Sequence, residues 1–219
     1  MAIEFKNVTK KIKKNTVINN ANLTIETGKI TGLQGINGSG KTMMMRLIAG
    51  LIKATEGEVV IDGIIIGKDI DFPLSLGMML ENPAFLNSYD GFHNLRLLAD
   101  INGIISDSDI YESINRVGLD EAKNKKYKKY SLGMKQRLGI AAAVMESPDI
   151  ILLDEPTNSL DSEGVEMVKR IVSEEKARGA TIVISCHDTA ILSELSDIIY
   201  TIESGKITGC IKNGSDSEQ

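Results

Sequence analysis

The sequence predicts an α/β fold: a mostly parallel sheet around a phosphate-binding loop, an N-terminal antiparallel β-layer and an inserted helical subdomain. Three observations carry this. A glycine-rich run, GINGSGKT at 35 to 42, lies between an apolar run (KITGLQ) and a helix-like run (MMMRLIAGL). The first quarter alternates apolar and polar residues and contains an Asp62-Gly63 turn signal. From 148 onward, strand-like and helix-like segments take turns, as in a parallel α/β core.

Each element can be justified in chain order. Ile3, Phe5 and Val8 mark a half-buried strand over 3 to 8, and VINNANLTI over 17 to 25 marks a second. The loop strand follows at 29 to 34. GEVVIDGIII at 57 to 66 reads as a hairpin, and LGMML at 76 to 80 as a short strand. After Pro83 the spacing becomes helical, over 91 to 101 and 107 to 117. A strong helix is expected over 131 to 146, with Ser131 as N-cap and a stop before Pro148. DIILLD at 149 to 154 is near-continuously apolar, as in a buried parallel strand. A helix over 162 to 178, a strand over 181 to 185 and a helix over 189 to 196 follow. Strands over 198 to 202 and 206 to 211 then turn at Ser204-Gly205. The expected division is a core of 1–81 and 148–219 with a helical subdomain over 82–147, within one domain of 219 residues.

The loop has the spacing G-x-x-x-x-G-K-[ST], with Gly35, Gly40, Lys41 and Thr42 at the fixed positions and Ile36, Asn37, Gly38 and Ser39 between them. Glycines let successive backbone N–H groups converge on phosphate oxygens, and the next helix adds its positive end. Lys41 can reach the β- and γ-phosphates, and Thr42 can offer a hydroxyl to Mg²⁺. A dinucleotide reading fails, because the glycine spacing is G-x-x-G-x-G rather than G-x-G-x-x-G. The core is therefore of the P-loop NTPase type. Downstream, DIILLDEP ends a buried strand in two carboxylates. Adjacent like charges repel, so they need separate work. Asp154 can hold Mg²⁺ and Glu155 can act as a base beside the γ-phosphate.

Composition narrows the partners. Hydrophobic content is 42%, charged content 25% and net charge −5, which argues against nucleic acid. No apolar run approaches the ~18 residues of a membrane span. The N-terminus lacks an apolar signal core, and Cys186 and Cys210 form no disulfide framework. A cytoplasmic location is expected. KNKKYKKY at 123 to 130 interleaves lysines with tyrosines; a solvated, mobile linker is the expectation over a nucleic-acid segment. The tail KNGSDSEQ is expected to fray. His93 is expected to be structural, without a partner residue in view.

YSLGMKQRLGIA at 130 to 141, together with GINGSGKT, DIILLDEPTNSLD and ISCHD, resembles the ATP-binding cassette (ABC) family over essentially the whole chain. Family signatures read L-S-G-G-Q; Tyr130-Ser131-Leu132-Gly133-Met134 stands in that place and retains Ser131 and Gly133. A serine-led helix N-terminus is a second anion site, which one chain cannot readily place on its own ATP. The resemblance implies a head-to-tail pair, a homodimer or two paired ATPase subunits, in which Ser131 and Gly133 of one copy close over the γ-phosphate held by Lys41 of the other. It also implies Glu155 as general base, His187 as the γ-phosphate contact that orients it, and 158 to 161 (NSLD) as the loop facing the other copy. ATP and Mg²⁺ are the implied ligands. A separate transmembrane permease is the implied partner, with this chain peripheral on the cytoplasmic face.

Two positions depart from the family. Where glutamine is usual, Glu81 stands; a carboxylate can still bind Mg²⁺ but adds negative charge. Where an aromatic usually stacks on adenine, Ile12 stands, and no aromatic lies between Phe5 and Phe72. Modest discrimination between ATP and GTP is therefore expected, and competition binding checks it. ENPAF and YSLGMKQRLGIA are similar to one branch, the ATPases of bacterial exporters that protect against peptide antibiotics such as bacitracin and lantibiotics. The competing readings are a soluble ABC-type ATPase and a nucleotide-binding regulator not coupled to transport. A coiled-coil mechanical ATPase needs a far longer insertion than 82 to 130, and a two-cassette translation factor needs a second cassette.

Overall fold

The computed structural model describes residues 2–213 except Asn82 and Lys123. The expected fraying of the tail beyond 213 lies outside the described residues.

Two sheets form. The antiparallel layer runs β2-β1-β4-β5, from β1 (Ile3–Ile12), β2 (Asn15–Ile25), β4 (Glu56–Ile61) and β5 (Ile64–Ile65). The larger sheet runs β10-β9-β3-β8-β7-β6, from β3 (Ile30–Gln34), β6 (Leu76–Met79), β7 (Ile150–Asp154), β8 (Thr181–Ser185), β9 (Ile198–Glu203) and β10 (Lys206–Lys212). Every neighbouring pair in it is parallel except β10 with β9. Helices are α1 (Lys41–Ile48), α2 (Gly91–Asn102), α3 (Asp107–Arg116), α4 (Leu132–Val144), α5 (Ser162–Ala177) and α6 (Thr189–Leu195). The predicted α/β architecture and its order are those observed.

β1 continues to Ile12, beyond the expected end at residue 8. Register shifts around Val8 keep Thr9 to Ile12 on the ladder, although Lys10 and Lys11 destroy the alternation. The Asp62-Gly63 hairpin is as expected: φ is 50° and 83°, and a two-residue turn joins Ile61 to Ile64. Ser131 caps α4, accepting from Met134 N–H, and Asp161 caps α5 through Gly164 N–H.

In KNKKYKKY, Lys125, Lys126, Lys128 and Lys129 are exposed as expected of a solvated segment, but the tyrosines are not. Tyr127 and Tyr130 are buried, and 127 to 129 form a 3₁₀ turn. Tyr127 donates to the Pro83 carbonyl at 2.6 Å and packs edge-on against Phe85; Tyr130 donates to the Ala122 carbonyl. The lysine content masked two anchors whose rings are apolar and whose hydroxyls find carbonyls. His93 also has a partner: its Nδ1 lies 2.7 Å from Asp90, the N-cap of α2.

One apolar cluster joins α2, α3, α4 and α5 to β7 and β8, including Leu95, Ile114, Leu138, Ile151, Val168 and Ile182. A second joins the antiparallel layer to α1 and the opposite face of the large sheet, including Ile3, Phe5, Met45, Leu47, Leu152 and Val183. The strands β7 and β8 are buried at every position, which explains their unbroken apolar runs.

Asp197 ties the start of β3 to α5. It accepts from Ile30 N–H at 2.9 Å and from Lys176 Nζ at 2.7 Å. Burial alone raises its pKa, but the Lys176 ion pair and the Ile30 N–H outweigh it and hold the carboxyl below the usual carboxylate range. A depressed folded pKa contributes stability above the unfolded value of about 3.9, and that stability is lost as pH falls through the folded value. Asp197→Asn is expected to cost about 1–2 kcal/mol at pH 7. Thermal melts from pH 7 to pH 3 should show the variant converging on the parent in acid.

Candidate functional site

The loop between β3 and α1 forms the floor of the site. Gly40 stands at the N-cap of α1 with φ 119°, and a Cβ there would lie 2.9 Å from Ile18 Cδ1. Glycine is thus required, and it supplies no side chain to the first N–H groups of the helix. Those groups are left for an anion. Lys41 Nζ donates to the Gly35 and Ile36 carbonyls at 2.7 and 3.3 Å and lies 3.8 Å from Glu155 Oε1. Ser39 is buried, and its hydroxyl has no hydrogen-bond partner.

The end of β7 delivers the two carboxylates to different neighbours. Asp154 accepts from Thr42 Oγ1 and from Ser185 Oγ, each at 2.5 Å. The chain then turns through Glu155, a non-glycine at φ 52°, a conformation that costs about 1–3 kcal/mol and clusters at functional sites. Glu155 Oε2 accepts from His187 N–H at 3.0 Å, and His187 Nε2 lies 3.4 Å from Oε1. Glu155 Oε1 is buried and has no hydrogen-bond partner. One oxygen is anchored; the other has Lys41 Nζ and His187 Nε2 within 4 Å.

A cavity of about 590 Å³ gathers these groups. Asn37, Gly38, Gly40, Lys41, Thr42, Glu81, Asp154, Glu155 and His187 line it, all singled out from the sequence. Gly35, Ile36 and Ser39 are not in the lining: Ile36 points to solvent and Ser39 is buried. Ile12 ends β1 opposite Asn15, and Val17 on β2 lines the cavity. Glu81 is held by Arg46 Nη2 at 2.7 Å. Ser131 and Gly133 lie outside this lining, at the exposed end of α4.

The ABC transporter family matches residues 18–158, well over half of the chain. The chain belongs to the ABC transporter ATPase family. YybJ of Bacillus subtilis, described as an uncharacterized ABC transporter ATP-binding protein, is 51% identical over 94% of both chains. BcrA of Enterococcus faecalis, a bacitracin transport ATP-binding protein, is 39% identical over 94% of this chain and 67% of its own. The dimeric bacterial ABC transporter cassette MJ0796 superposes with a TM-score of 0.87 at 28% identity, covering 96% of this chain and 98% of that one. The same cassette is also known in a post-hydrolysis state with ADP and Pi.

Two further residues of this ABC ATPase position the carboxylates, and sequence reasoning did not assign them. Ser185 bridges the pair: its hydroxyl donates to Asp154 and accepts from Glu155 N–H at 3.0 Å. Gln136, one turn into α4, donates its amide to the Glu155 carbonyl at 2.9 Å. Nothing in spacing separates Ser185 from any polar strand end. Gln136 does sit in the signature stretch, and that was the available signal. Among the described residues, no group of three or more His, Cys, Asp or Glu forms a metal cage.

Proposed function

We propose that this ABC ATPase drives a separate membrane-spanning permease, pairing head to tail with a second ATPase subunit around two ATP, in export of a peptide antibiotic or similar cargo. The observation that carries the reading is the position of Ser131. It caps α4 at an exposed helix start outside the cavity of its own chain, so its anion site serves another copy. The dimeric cassette neighbour and the bacitracin transport relative support the pairing and the cargo class.

Residues take the following roles in this reading. The loop Gly35 to Thr42 holds the phosphates, with Lys41 on the β- and γ-oxygens. Thr42 and Asp154 bring two hard oxygens together, which suits Mg²⁺ completed by phosphate oxygens and water. Such a cation would neutralise charge on the phosphates. Glu155 takes a proton from the attacking water, and His187 contacts the γ-phosphate and orients Glu155. Ser131 and Gly133 approach from the second copy. Val17 and Ile12 offer only aliphatic contact near the base. The core of 1–81 and 148–219 carries the nucleotide, and 82–147 presents Ser131. No helix among the described residues is long and apolar enough to cross a membrane. In this reading the chain is held at the cytoplasmic face by the permease.

The test is affinity purification of the Glu155→Gln form from detergent-solubilised membranes with ATP present. A copurifying multi-spanning protein supports the motor reading and leads to the cargo. Ribosomal proteins, DNA or no partner would overturn it in favour of a soluble ATPase or regulator.

A further inference from the structure

Glu81 and Arg46 form an ion pair at the boundary between two cavities. Glu81 lines the nucleotide cavity; Arg46, in the last turn of α1, lines a second cavity of about 390 Å³ with Met78, Leu80, Pro83 and Phe85. The guanidinium Nη2 and Glu81 Oε1 are 2.7 Å apart. Glu81 holds φ 61°, unfavourable for a side chain with a Cβ, so the backbone after β6 turns under strain at this residue. Arg46 starts five positions after Lys41, so it stands on the same helix that receives the phosphates.

We propose that Arg46 is a positioning residue: it is the counter-ion that holds the Glu81 carboxylate when the metal position does not, so that Glu81 exchanges between Arg46 and a divalent cation. Three things follow from charge alone. A free Glu81 carboxylate repels a metal-free triphosphate; a neutralised one does not. A free carboxylate attracts Mg²⁺; one engaged by a guanidinium attracts it less. When Glu81 turns to the cation, Arg46 is released into the wall of the second cavity, which thereby senses the contents of the first.

The inference rests on the reading of Thr42 and Asp154 as the Mg²⁺ position. The experiment therefore measures two quantities for each variant: affinity for a fluorescent ATP analogue in excess chelator, and the Mg²⁺ concentration giving half-maximal strengthening of that binding. In Arg46→Gln, metal-free affinity should fall roughly two- to fivefold and the Mg²⁺ half-point should fall by a similar factor, the range of a half-exposed ion pair. Arg46→Lys should lie near the parent. In the Glu81→Gln background, Arg46→Gln should change neither quantity. Equal shifts in both backgrounds, or no shift in either, would overturn the proposal; a purely structural Arg46 would move the melting temperature without this dependence on Glu81. If the parent protein binds the analogue with no Mg²⁺ dependence at all, the metal position is what fails, and the metal-free arm still decides whether Arg46 screens Glu81.

Discussion

Glu155→Gln is expected to lower ATP turnover by roughly 10²–10⁴-fold while nucleotide binding persists. The argument is atomic. Oε2 accepts the His187 N–H, a bond that an amide oxygen retains. Oε1 is buried and without a hydrogen-bond partner, and in the proposed mechanism it is the atom that receives the proton. An amide nitrogen in its place can only donate. Lys41, 3.8 Å away, then loses a neighbouring negative charge, which favours phosphate binding rather than opposing it. Phosphate release measures the first effect, and equilibrium binding of ATP the second. A variant that lost binding and turnover together would show that Glu155 holds the loop in shape instead.

Gly77→Ala is expected to destabilise the fold by about 3 kcal/mol or more, at the upper end of overpacking effects. Gly77 lies in β6, where α4 crosses closely. A Cβ there would overlap the Ala143 carbonyl oxygen and come within 2.6 Å of Pro148 Cγ. The obstacle is helix backbone, which cannot rotate aside as a side chain would. Gly139 makes the reverse approach from α4, where a Cβ would lie 2.8 Å from Met79 Sδ. Two glycines, one on each element, thus set the separation of helix and strand. Urea unfolding of the variant against its parent measures the cost. A change under 1 kcal/mol would mean that α4 can ride outward.

The fold was legible because burial writes itself plainly in places. β7 and β8 are covered on both faces, and their runs of Ile, Leu and Val admit little else. The phosphate loop was legible because backbone geometry restricts its residues: Gly40 has no substitute at φ 119°. The end of β1 was hidden because its lysines alternate with nothing. Tyr127 and Tyr130 were hidden because four neighbouring lysines suggest solvent while the two rings point inward. The Arg46 partner of Glu81 was hidden because the residues lie on separate elements, and pairing across elements has no local period. Ser185 acts through two hydrogen bonds, to the Asp154 carboxylate and from the Glu155 N–H, and Gln136 through one to a carbonyl; none leaves a pattern in spacing.

The contact from Gln136 to the Glu155 carbonyl has a kinetic meaning. Its helix is capped by Ser131, the point that the proposed pairing offers to the other subunit. In that pairing, docking at the cap and the placement of the proposed proton acceptor would be joined by one turn of helix. A solitary subunit would hold its nucleotide almost idle. Specific activity would climb with protein concentration until encounters saturate. In a cell, fuel consumption would then follow how many subunits are brought together, and not how many are made.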